Sequence, residues 1–280
     1  QCIDSLLQQS YDKNTIAIYL VNDGSTDTTG EILNSFSHHH HINIIHYEKN
    51  RGLSAARNTG IKSGTGEVII FLDSDRTVQP NWISEHINIL RNNNVVGVIG
   101  DSQLPHGNIP TKLDSYLYDP RRGARRFGEG TPIRFPYFLL NNTSLKRSVF
   151  DVIEFFDENI MSYGGEDTEL AIRLWEAYPD GLRFSFSATC EHHHPRELND
   201  YCNLMYGYGK TNLPSLLEQF PQYNTELGGQ WIKSIKGYLL FNPIVRFWVA
   251  KTCHFCNSYW LSKYQVIDAV IRGARTVSRR

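Results

Sequence analysis

The sequence predicts an α/β fold, because short apolar runs alternate with polar loops and with segments of helical periodicity. Four apolar runs rich in β-branched residues are typical of strands buried on both faces of a sheet, and they lie at 16–21, 42–47, 68–72 and 95–100. Polar side chains follow the first and third runs directly. Ligands of open α/β sheets bind beyond the carboxyl ends of the strands, so we expect a site at that edge.

Length, charge and cysteine content narrow the class of protein. The 280 residues are enough for one large α/β domain, or for one domain with a helical appendage. A formal net charge of −1 argues against a nucleic-acid-binding protein. The five cysteines are odd in number and scattered, which favours a reducing cytoplasm over a disulfide framework. No apolar run is long enough to span a bilayer.

The loop after the first predicted strand, at 22–27, is polar and contains glycine. Ser25 or Thr26 can cap the helix that follows it. Asp23 in this loop has two interpretations: its carboxylate accepts hydrogen bonds from a base or ribose, or it forms an ordinary Asx turn.

A helix is predicted within 50–60, after the second strand, and it brings two cations to the same edge of the sheet. Arg51 and Arg57 would lie where a diphosphate needs positive charge. The alternative is that both arginines pair with local carboxylates at the surface.

The third strand ends in two carboxylates, Asp73 and Asp75, without any linker. Either of them could hold a divalent cation as a hard oxygen ligand. The alternative is a structural turn, because aspartate also ends strands.

Three blocks, at 21–27, 50–60 and 71–75, resemble family-2 glycosyltransferases of the GT-A fold in residues, order and spacing. The resemblance implies a Rossmann-like, mostly parallel central sheet with helices on both faces. It also implies that Asp23 and Arg57 contact the nucleobase, that Asp73 contacts the ribose, and that Asp75 ligates the divalent ion on the diphosphate. This family normally opens with a strand and a base-cradling loop ahead of the helix at the start of this sequence, and we expect that the sequence is truncated there.

Two glycines and three acidic residues form a second block, at 164–169. Carboxylates at the start of a helix are stabilised by the helix dipole, so capping alone is one interpretation. Three of them exceed what capping needs, and a general base requires a held carboxylate. The resemblance implies that Asp167 is the catalytic base and that Glu166 helps to place the acceptor, with Tyr163 where relatives often have tryptophan.

An alternating segment at 182–191 ends in three histidines. In an extended chain His192 and His194 share a face and His193 points away. The resemblance places a metal ligand here, and imidazole suits Mn²⁺, so His192 is the first candidate and His194 the second. A polar strand end without a metal is the alternative.

Two further segments have open interpretations. The polar stretch 101–136 carries a basic cluster and is either a lid near an anionic acceptor or a solvated surface. The tail from Trp231 is basic and aromatic and ends in Arg279 and Arg280, which is typical of helices that lie on anionic membranes; packing on the catalytic domain is the alternative. Cys253 and Cys256 are expected to be a buried helical pair, since no second CxxC completes a zinc site.

The sequence as a whole predicts a GT-A domain over 1–200 and a helical extension over 201–280. Within the domain, 1–100 is the nucleotide-sugar half and 101–200 the acceptor half. The predicted function is a metal-dependent inverting glycosyltransferase that uses Mn²⁺ or Mg²⁺ and a nucleoside-diphosphate sugar, with UDP-sugar favoured. Its acceptor would be a glycan or lipid-linked hydroxyl in polysaccharide or cell-envelope synthesis, with peripheral membrane contact at the cytoplasmic face.

Two other classes of function remain open at this point. A sugar-1-phosphate nucleotidyltransferase could use a similar scaffold, although no glycine-rich triphosphate loop is present. The other alternative is a non-catalytic relative that binds a sugar or a partner.

Overall fold

The computed structural model describes residues 1–278, with the side chain of His254 also left aside. Arg279 and Arg280, predicted to end the basic tail, lie outside the described residues. The chain forms two compact units. The first contains Gln1–Ser102, Phe127–Met161 and Glu166–Glu191; the second contains Gln103–Arg126, Ser162–Gly165 and the described residues from His192 onward. The predicted domain limits at 100 and 200 stay a prediction.

The structure has strands mainly in the first half of the chain and helices throughout. The strands of the described residues are β1 (Ile18–Asn22), β2 (Ile42–His46), β3 (Val68–Leu72), β4 (Arg76–Val78), β5 (Gly97–Gln103), β6 (Asn142–Lys146) and β7 (Leu182–His192). The helices up to β7 are α1 (Cys2–Leu7), α2 (Thr29–Asn34), α3 (Leu53–Ser63), α4 (Trp82–Leu90), α5 (Asp114–Leu117), α6 (Phe150–Ile153) and α7 (Glu166–Ala177). Those that follow are α8 (Leu198–Lys210), α9 (Asn212–Gln219), α10 (Gln230–Lys233), α11 (Ile235–Leu240), α12 (Pro243–Phe255) and α13 (Tyr259–Val277).

The strands form two sheets. β1 and β2 pair in parallel, with Ile18 opposite Ile42. The larger sheet has the order β3-β6-β5-β7-β4. Its strand β6 runs antiparallel to both β3 and β5. The connection from β5 to β6 holds only short helical turns, so the chain lacks the long crossover helix that keeps successive strands parallel.

The apolar run at 138–140 is typical of a strand, but β6 begins only after it, at Asn142. A 3₁₀ turn at Phe135–Tyr137 precedes it and contains Pro136, which has no N–H to donate to a sheet. Phe138 and Leu140 are nevertheless buried, so the apolar run indicated the core correctly and the strand incorrectly.

A polar network ties the larger sheet to α4 in the core of the first unit. Asn142 accepts a hydrogen bond from the Trp82 indole (2.9 Å), and its amide donates to the carbonyl oxygens of Asp101 and Ala188 (both 2.9 Å). His86 bonds the same Asn142 side chain, and complete burial lowers the pKa of His86 to about 4. The imidazole is therefore neutral at physiological pH, and the network stabilises the sheet edge that carries the candidate site.

The second unit is mostly helical, which confirms the predicted C-terminal helical region. α13 packs on α8, and the buried side chains of α9, α11 and α13 form one apolar cluster that includes Leu213, Phe241 and Ile271. No helix within residues 1–278 combines the length and the apolar character needed to cross a membrane. The expected buried cysteine pair is wrong in part: Cys253 is buried, but α12 ends before Cys256, which is exposed.

Candidate active site

The loop after β1 is fixed to the start of α3 by Asp23. One carboxylate oxygen of Asp23 accepts the backbone N–H of Arg51 (2.7 Å), and the other accepts that of Gly52 (2.9 Å). The Asx-type hydrogen bond of this loop comes from Asn22 instead, whose side chain accepts the N–H of Ser25 (3.0 Å). Asp23 therefore holds two segments of the edge together, and any base that it contacts must share these oxygens with the backbone donors.

The loop conformation depends on Gly24, which has φ 71°. A Cβ at this position would lie 2.5 Å from the backbone nitrogen of Asn50. Only glycine lets the Asp23 loop approach the 49–50 backbone so closely.

Arg51, just before α3, and Arg57, within α3, pair with carboxylates that come much later in the sequence of the first unit. Arg57 donates to Glu166 at 2.7 Å, with side chains 16% and 7% exposed. Arg51 lies 3.4 Å from Glu158 at a much more exposed position. Local carboxylates were the expected partners, whereas Glu158 and Glu166 lie about 100 residues further along the chain. Asn58 also contacts Glu158, at 2.9 Å.

The two aspartates after β3 remain open to solvent, with side chains 45% (Asp73) and 34% (Asp75) exposed. The guanidinium Nε of Arg76 lies 3.8 Å from Asp73 and 4.0 Å from Asp75, and Arg76 itself is almost fully buried. Its Nη1 donates to the hydroxyl of Ser102 (3.0 Å). Both side chains are half-exposed, and Oδ1 of Asp75, which faces Arg76, is itself buried. Carboxylate oxygens suit a hard divalent cation, and the fixed guanidinium reduces the repulsion between the two carboxylates.

Arg76 is a site residue that the sequence reasoning missed. Its only signal was its position directly after Asp75, because an arginine there reads as an exposed turn residue until the tertiary structure shows its burial. The buried guanidinium also contacts the Ser102 hydroxyl on β5 and the Cys190 thiol on β7, which are distant from it in the sequence.

Glu166 and Asp167 occupy the first turn of α7, directly after Gly164 and Gly165, which have φ values of 82° and 100°. Glu166 is buried, and within the described residues its Oε2 has no hydrogen-bond partner. Asp167 accepts a hydrogen bond from the hydroxyl of Thr168 (3.3 Å). Glu166 and Asp167 are therefore adjacent at the start of α7, and Glu166 contacts the Arg57 guanidinium.

Burial and the neighbouring Glu166 carboxylate raise the pKa of Asp167 to about 6, while the charge of Arg57 opposes the rise. A carboxylate with this pKa is ionised at neutral pH and is more basic than an ordinary aspartate. Those are the properties that a general base for a hydroxyl group requires.

Glu169, the third acidic residue of the block, has a different environment. It forms a two-point ion pair with Arg173 (2.7 and 2.6 Å), and Arg173 also donates to the Phe155 carbonyl. Glu169 is buried in a structural pair, so Glu169→Gln is expected to lower stability.

The histidines after β7 lie in the second unit. Ring centroids of His192 and His194 are 4.6 Å apart, so the two side chains are neighbours as expected. His192 Nδ1 bonds the Tyr118 hydroxyl (2.9 Å). His194 uses both ring nitrogens: Nδ1 accepts the N–H of Arg196 (3.2 Å), and Nε2 contacts the buried carboxylate of Asp114 (3.1 Å). A metal ion would have to displace one of these bonds to bind His194.

A cavity of about 610 Å³ lies beside these histidines within the second unit. It is lined by Leu104, Gly107, Asn108, Ile109, Thr111, Asp114, His192, His193, His194 and Pro195. Among the described side chains, which exclude those of His254, Arg279 and Arg280, no three from histidine, cysteine, aspartate or glutamate are grouped closely enough to hold a metal ion. The assignments of Asp75, His192 and His194 as ligands accordingly stay predictions.

Comparison with known proteins agrees with the architecture. The family model described as Glycosyl transferase family 2 matches residues 1–152. Glycosyltransferase GlyA of Streptococcus pneumoniae is 45% identical over 83 residues, which are 30% of this chain and 12% of that protein. The matched segments cover between 12% and 38% of the length of GlyA and of two further curated glycosyltransferases. The chain therefore spans well under two thirds of these relatives.

Two solved structures share the fold over nearly the whole chain. The mannosyltransferase PcManGT of Pyrobaculum calidifontis, solved with GDP-Man and Mn²⁺, has a TM-score of 0.62 at 16% identity and covers 97% of this chain and 81% of its own. TarS 1–349 of S. aureus, solved with UDP-GlcNAc, has a TM-score of 0.55 at 14% identity and covers 99% of this chain and 87% of its own. With a family match over more than half of its residues and this fold, the chain belongs to glycosyl transferase family 2 and has the GT-A architecture.

Proposed function

We propose that this chain transfers a sugar from a nucleoside-diphosphate sugar to a hydroxyl group of a glycan or lipid-linked acceptor, with inversion at the anomeric carbon. The observation that carries the proposal is the adjacent pair of buried Glu166 and half-buried Asp167, in which Asp167 has a raised pKa and Glu166 pairs with Arg57 on α3. The family and the GT-A fold support the same class of reaction. Its setting would be polysaccharide or cell-envelope glycan synthesis.

The donor is assigned to the edge formed by the β1 loop, α3 and the end of β3. Asp23 and Arg57 contact the nucleobase, and Asp73 contacts the ribose. The exposure of Asp73 supports this assignment, because its carboxylate is open to a ligand. A UDP-sugar is the first donor to test, since TarS was solved with UDP-GlcNAc, and a GDP-sugar is the second, since PcManGT was solved with GDP-Man.

Asp75 is assigned as the Mn²⁺ or Mg²⁺ ligand of the first unit, because its partly exposed carboxylate offers the oxygen donors that such ions prefer. Bound there, the ion would offset negative charge on the diphosphate leaving group. Of the two histidines, His192 remains the proposed ligand, and His194 is assigned a positioning role because Asp114 and Arg196 occupy its ring nitrogens.

The chemistry assigned to the chain's own residues is a single displacement. Asp167 accepts the proton of the acceptor hydroxyl while that oxygen forms a bond to the anomeric carbon. The bond from this carbon to the diphosphate oxygen breaks, and its electron pair leaves with the nucleoside diphosphate. Glu166 and Arg57 set the charge around Asp167 and hold the start of α7 toward the donor helix.

The test of the proposed function is release of nucleoside diphosphate from a panel of sugar nucleotides, measured with and without Mn²⁺. The proposal expects release from one donor, stimulated by Mn²⁺. A nucleotidyltransferase would instead liberate pyrophosphate from a nucleoside triphosphate and a sugar 1-phosphate. Binding of a sugar nucleotide without any release would identify a non-catalytic relative and would refute the proposal.

We expect the rate at saturating donor to fall as the pH drops through about 6, because Asp167 must be ionised to accept a proton. Glu166→Gln removes the adjacent negative charge, so the acidic limb of the pH–rate profile should move to lower pH. The measurement is kcat of both proteins between about pH 4.5 and 8, an interval that extends to both sides of the expected midpoint near pH 6. If the acidic limb of Glu166→Gln stays at the wild-type pH, the limb does not report the ionisation of Asp167.

A further inference from the structure

A stripe of large apolar side chains on α12 faces solvent. Ile244, Phe247 and Trp248 are 72%, 60% and 58% exposed, and Phe255 continues the stripe at the end of the helix. Their spacing of three, four and seven residues places them on one side of an α-helix. Exposed hydrophobic side chains are ordinary when single, whereas a contiguous patch marks an interaction surface.

Side chains on the opposite side of α12 attach the helix to the rest of the second unit. Cys253 is buried in a cluster with Leu113, Leu198 and Val266 of the second unit. Arg246 pairs with the buried carboxylate of Asp268 on α13, at 2.6 and 2.9 Å. The inward side thus anchors α12 to its own unit, and the exposed stripe is not needed for that packing.

Further large apolar side chains are exposed on the helices that precede and follow α12 in the chain. They are Ile235, Leu239 and Leu240 of α11 and Trp260 at the start of α13. We call these residues together with the α12 stripe the apolar face; it comprises Ile235, Leu239, Leu240, Ile244, Phe247, Trp248, Phe255 and Trp260.

The charge around the apolar face has one sign. Residues 227–267 include no aspartate or glutamate, and their lysines are Lys233, Lys236, Lys251 and Lys263. Arg246 is excluded, because it pairs with Asp268 on the inward side of α12. The ammonium of Lys251 lies 5.5 Å from the Trp248 ring centre, and that of Lys263 lies 5.3 Å from the Trp260 ring centre. Aromatic side chains beside lysines suit the boundary between lipid headgroups and acyl chains, where rings bury and ammonium groups meet phosphates.

We propose that the apolar face of α11–α13 is a docking surface for an anionic lipid bilayer, on which α12 lies in the plane of the membrane interface. The proposal deepens the membrane contact of the predicted function and rests on that function only for its biological setting. The 13 residues of α12 are too few to cross a bilayer, so this helix is suited to the interface and not to a span.

The experiment is co-sedimentation of the full chain with two kinds of vesicle, phosphatidylcholine alone and phosphatidylcholine with an equal amount of phosphatidylglycerol. We expect binding to the anionic vesicles, much weaker binding to the neutral ones, and a loss of binding at high salt. The fluorescence of Trp248 and Trp260 should shift to shorter wavelength on binding, because both indoles leave water.

The variant Phe247→Ser with Trp248→Ser should lower the affinity for anionic vesicles at least about tenfold, because two aromatic side chains no longer bury apolar area. A matched control is Ile32→Ser with Val152→Ser, which removes two exposed apolar side chains from the first unit and should bind as the wild type does. Both variants should keep the wild-type melting temperature, since all four side chains are exposed.

Equal binding to neutral and anionic vesicles, or unchanged binding by the α12 variant, would overturn the proposal. So would a sedimentation experiment in which the wild type is a dimer without lipid and the α12 variant a monomer, because the face would then be covered by a second copy. Release of nucleoside diphosphate by the α12 variant without lipid tests the proposed glycosyltransferase activity alone. Failure of the activity and failure of membrane docking can therefore be distinguished.

Discussion

Replacing Asp167 by asparagine should reduce turnover by about 10²–10⁴-fold, the usual contribution of a general base. Asparagine keeps the size of the side chain and can still accept the Thr168 hydroxyl, but it cannot take a proton. Donor affinity should change little, because the proposed nucleotide contacts come from Asp23, Arg57 and Asp73. The measurements are kcat at saturating donor and the dissociation constant of the nucleoside diphosphate.

Stability gives this variant an internal control. Because the folded-state pKa of Asp167 is raised above the ordinary 3.8, the protonated form is favoured in the folded protein, and stability decreases as the pH rises toward 6. An uncharged asparagine avoids this cost at pH 7.5, so the melting temperature of Asp167→Asn should equal or exceed that of the wild type. Asp151→Asn, at an exposed position of α6, is the matched substitution and should keep full activity. A parallel loss of melting temperature and donor binding in Asp167→Asn would assign Asp167 to capping and folding instead.

The second large effect is expected for Asp75. Asp75→Asn should reduce Mn²⁺-dependent turnover by about 10³-fold, which corresponds to about 4 kcal/mol of transition-state stabilisation, within the range that metal ions supply. The amide is a weaker ligand than a carboxylate and carries no charge to attract the ion. Binding of Mn²⁺ in the presence of nucleoside diphosphate, followed by electron paramagnetic resonance, should weaken together with turnover.

Asp180→Asn serves as the control for Asp75→Asn, since Asp180 is an exposed carboxylate on the loop after α7. It should bind Mn²⁺ and turn over donor as the wild type does. If Asp75→Asn were fully active in the presence of EDTA, the assignment of Asp75 as a metal ligand would be wrong.

Much of the donor edge was predictable from local sequence. The apolar runs identified β1, β2, β3 and β5 to within a few residues, because runs rich in β-branched residues favour strands. The expected burial on both faces holds mainly for β5: β1 and β3 are mostly half-buried, and β2 has two exposed positions. The polar residues that end β1 and β3 followed as candidates for a ligand site, because ligands bind beyond the carboxyl ends of strands. The expectation of one shared sheet was wrong, since β1 and β3 belong to different sheets. The start of α7 at Glu166 was also indicated correctly, by the glycines and acidic residues before its apolar positions.

What the sequence did not show are the contacts that cross long stretches of chain. The Arg57–Glu166 pair joins residues 109 positions apart, and the Asp114–His194 contact joins residues 80 positions apart. Side-chain type predicts that such groups need partners, but only the fold decides which partner is near. The antiparallel direction of β6 has the same cause, because strand direction depends on the path of the 104–141 connection and not on the composition of the strand.

The anomeric configuration of the first sugar released is the most direct test of the central claim, that Asp167 activates an oxygen nucleophile for one displacement at the anomeric carbon. Proton NMR during the early phase of donor hydrolysis, with water as the acceptor, distinguishes the two anomers before they interconvert. From an α-linked sugar nucleotide the account predicts that the β-anomer appears first, and that Asp167→Asn slows its appearance. Initial release of the α-anomer, or an unchanged rate in Asp167→Asn, would contradict it.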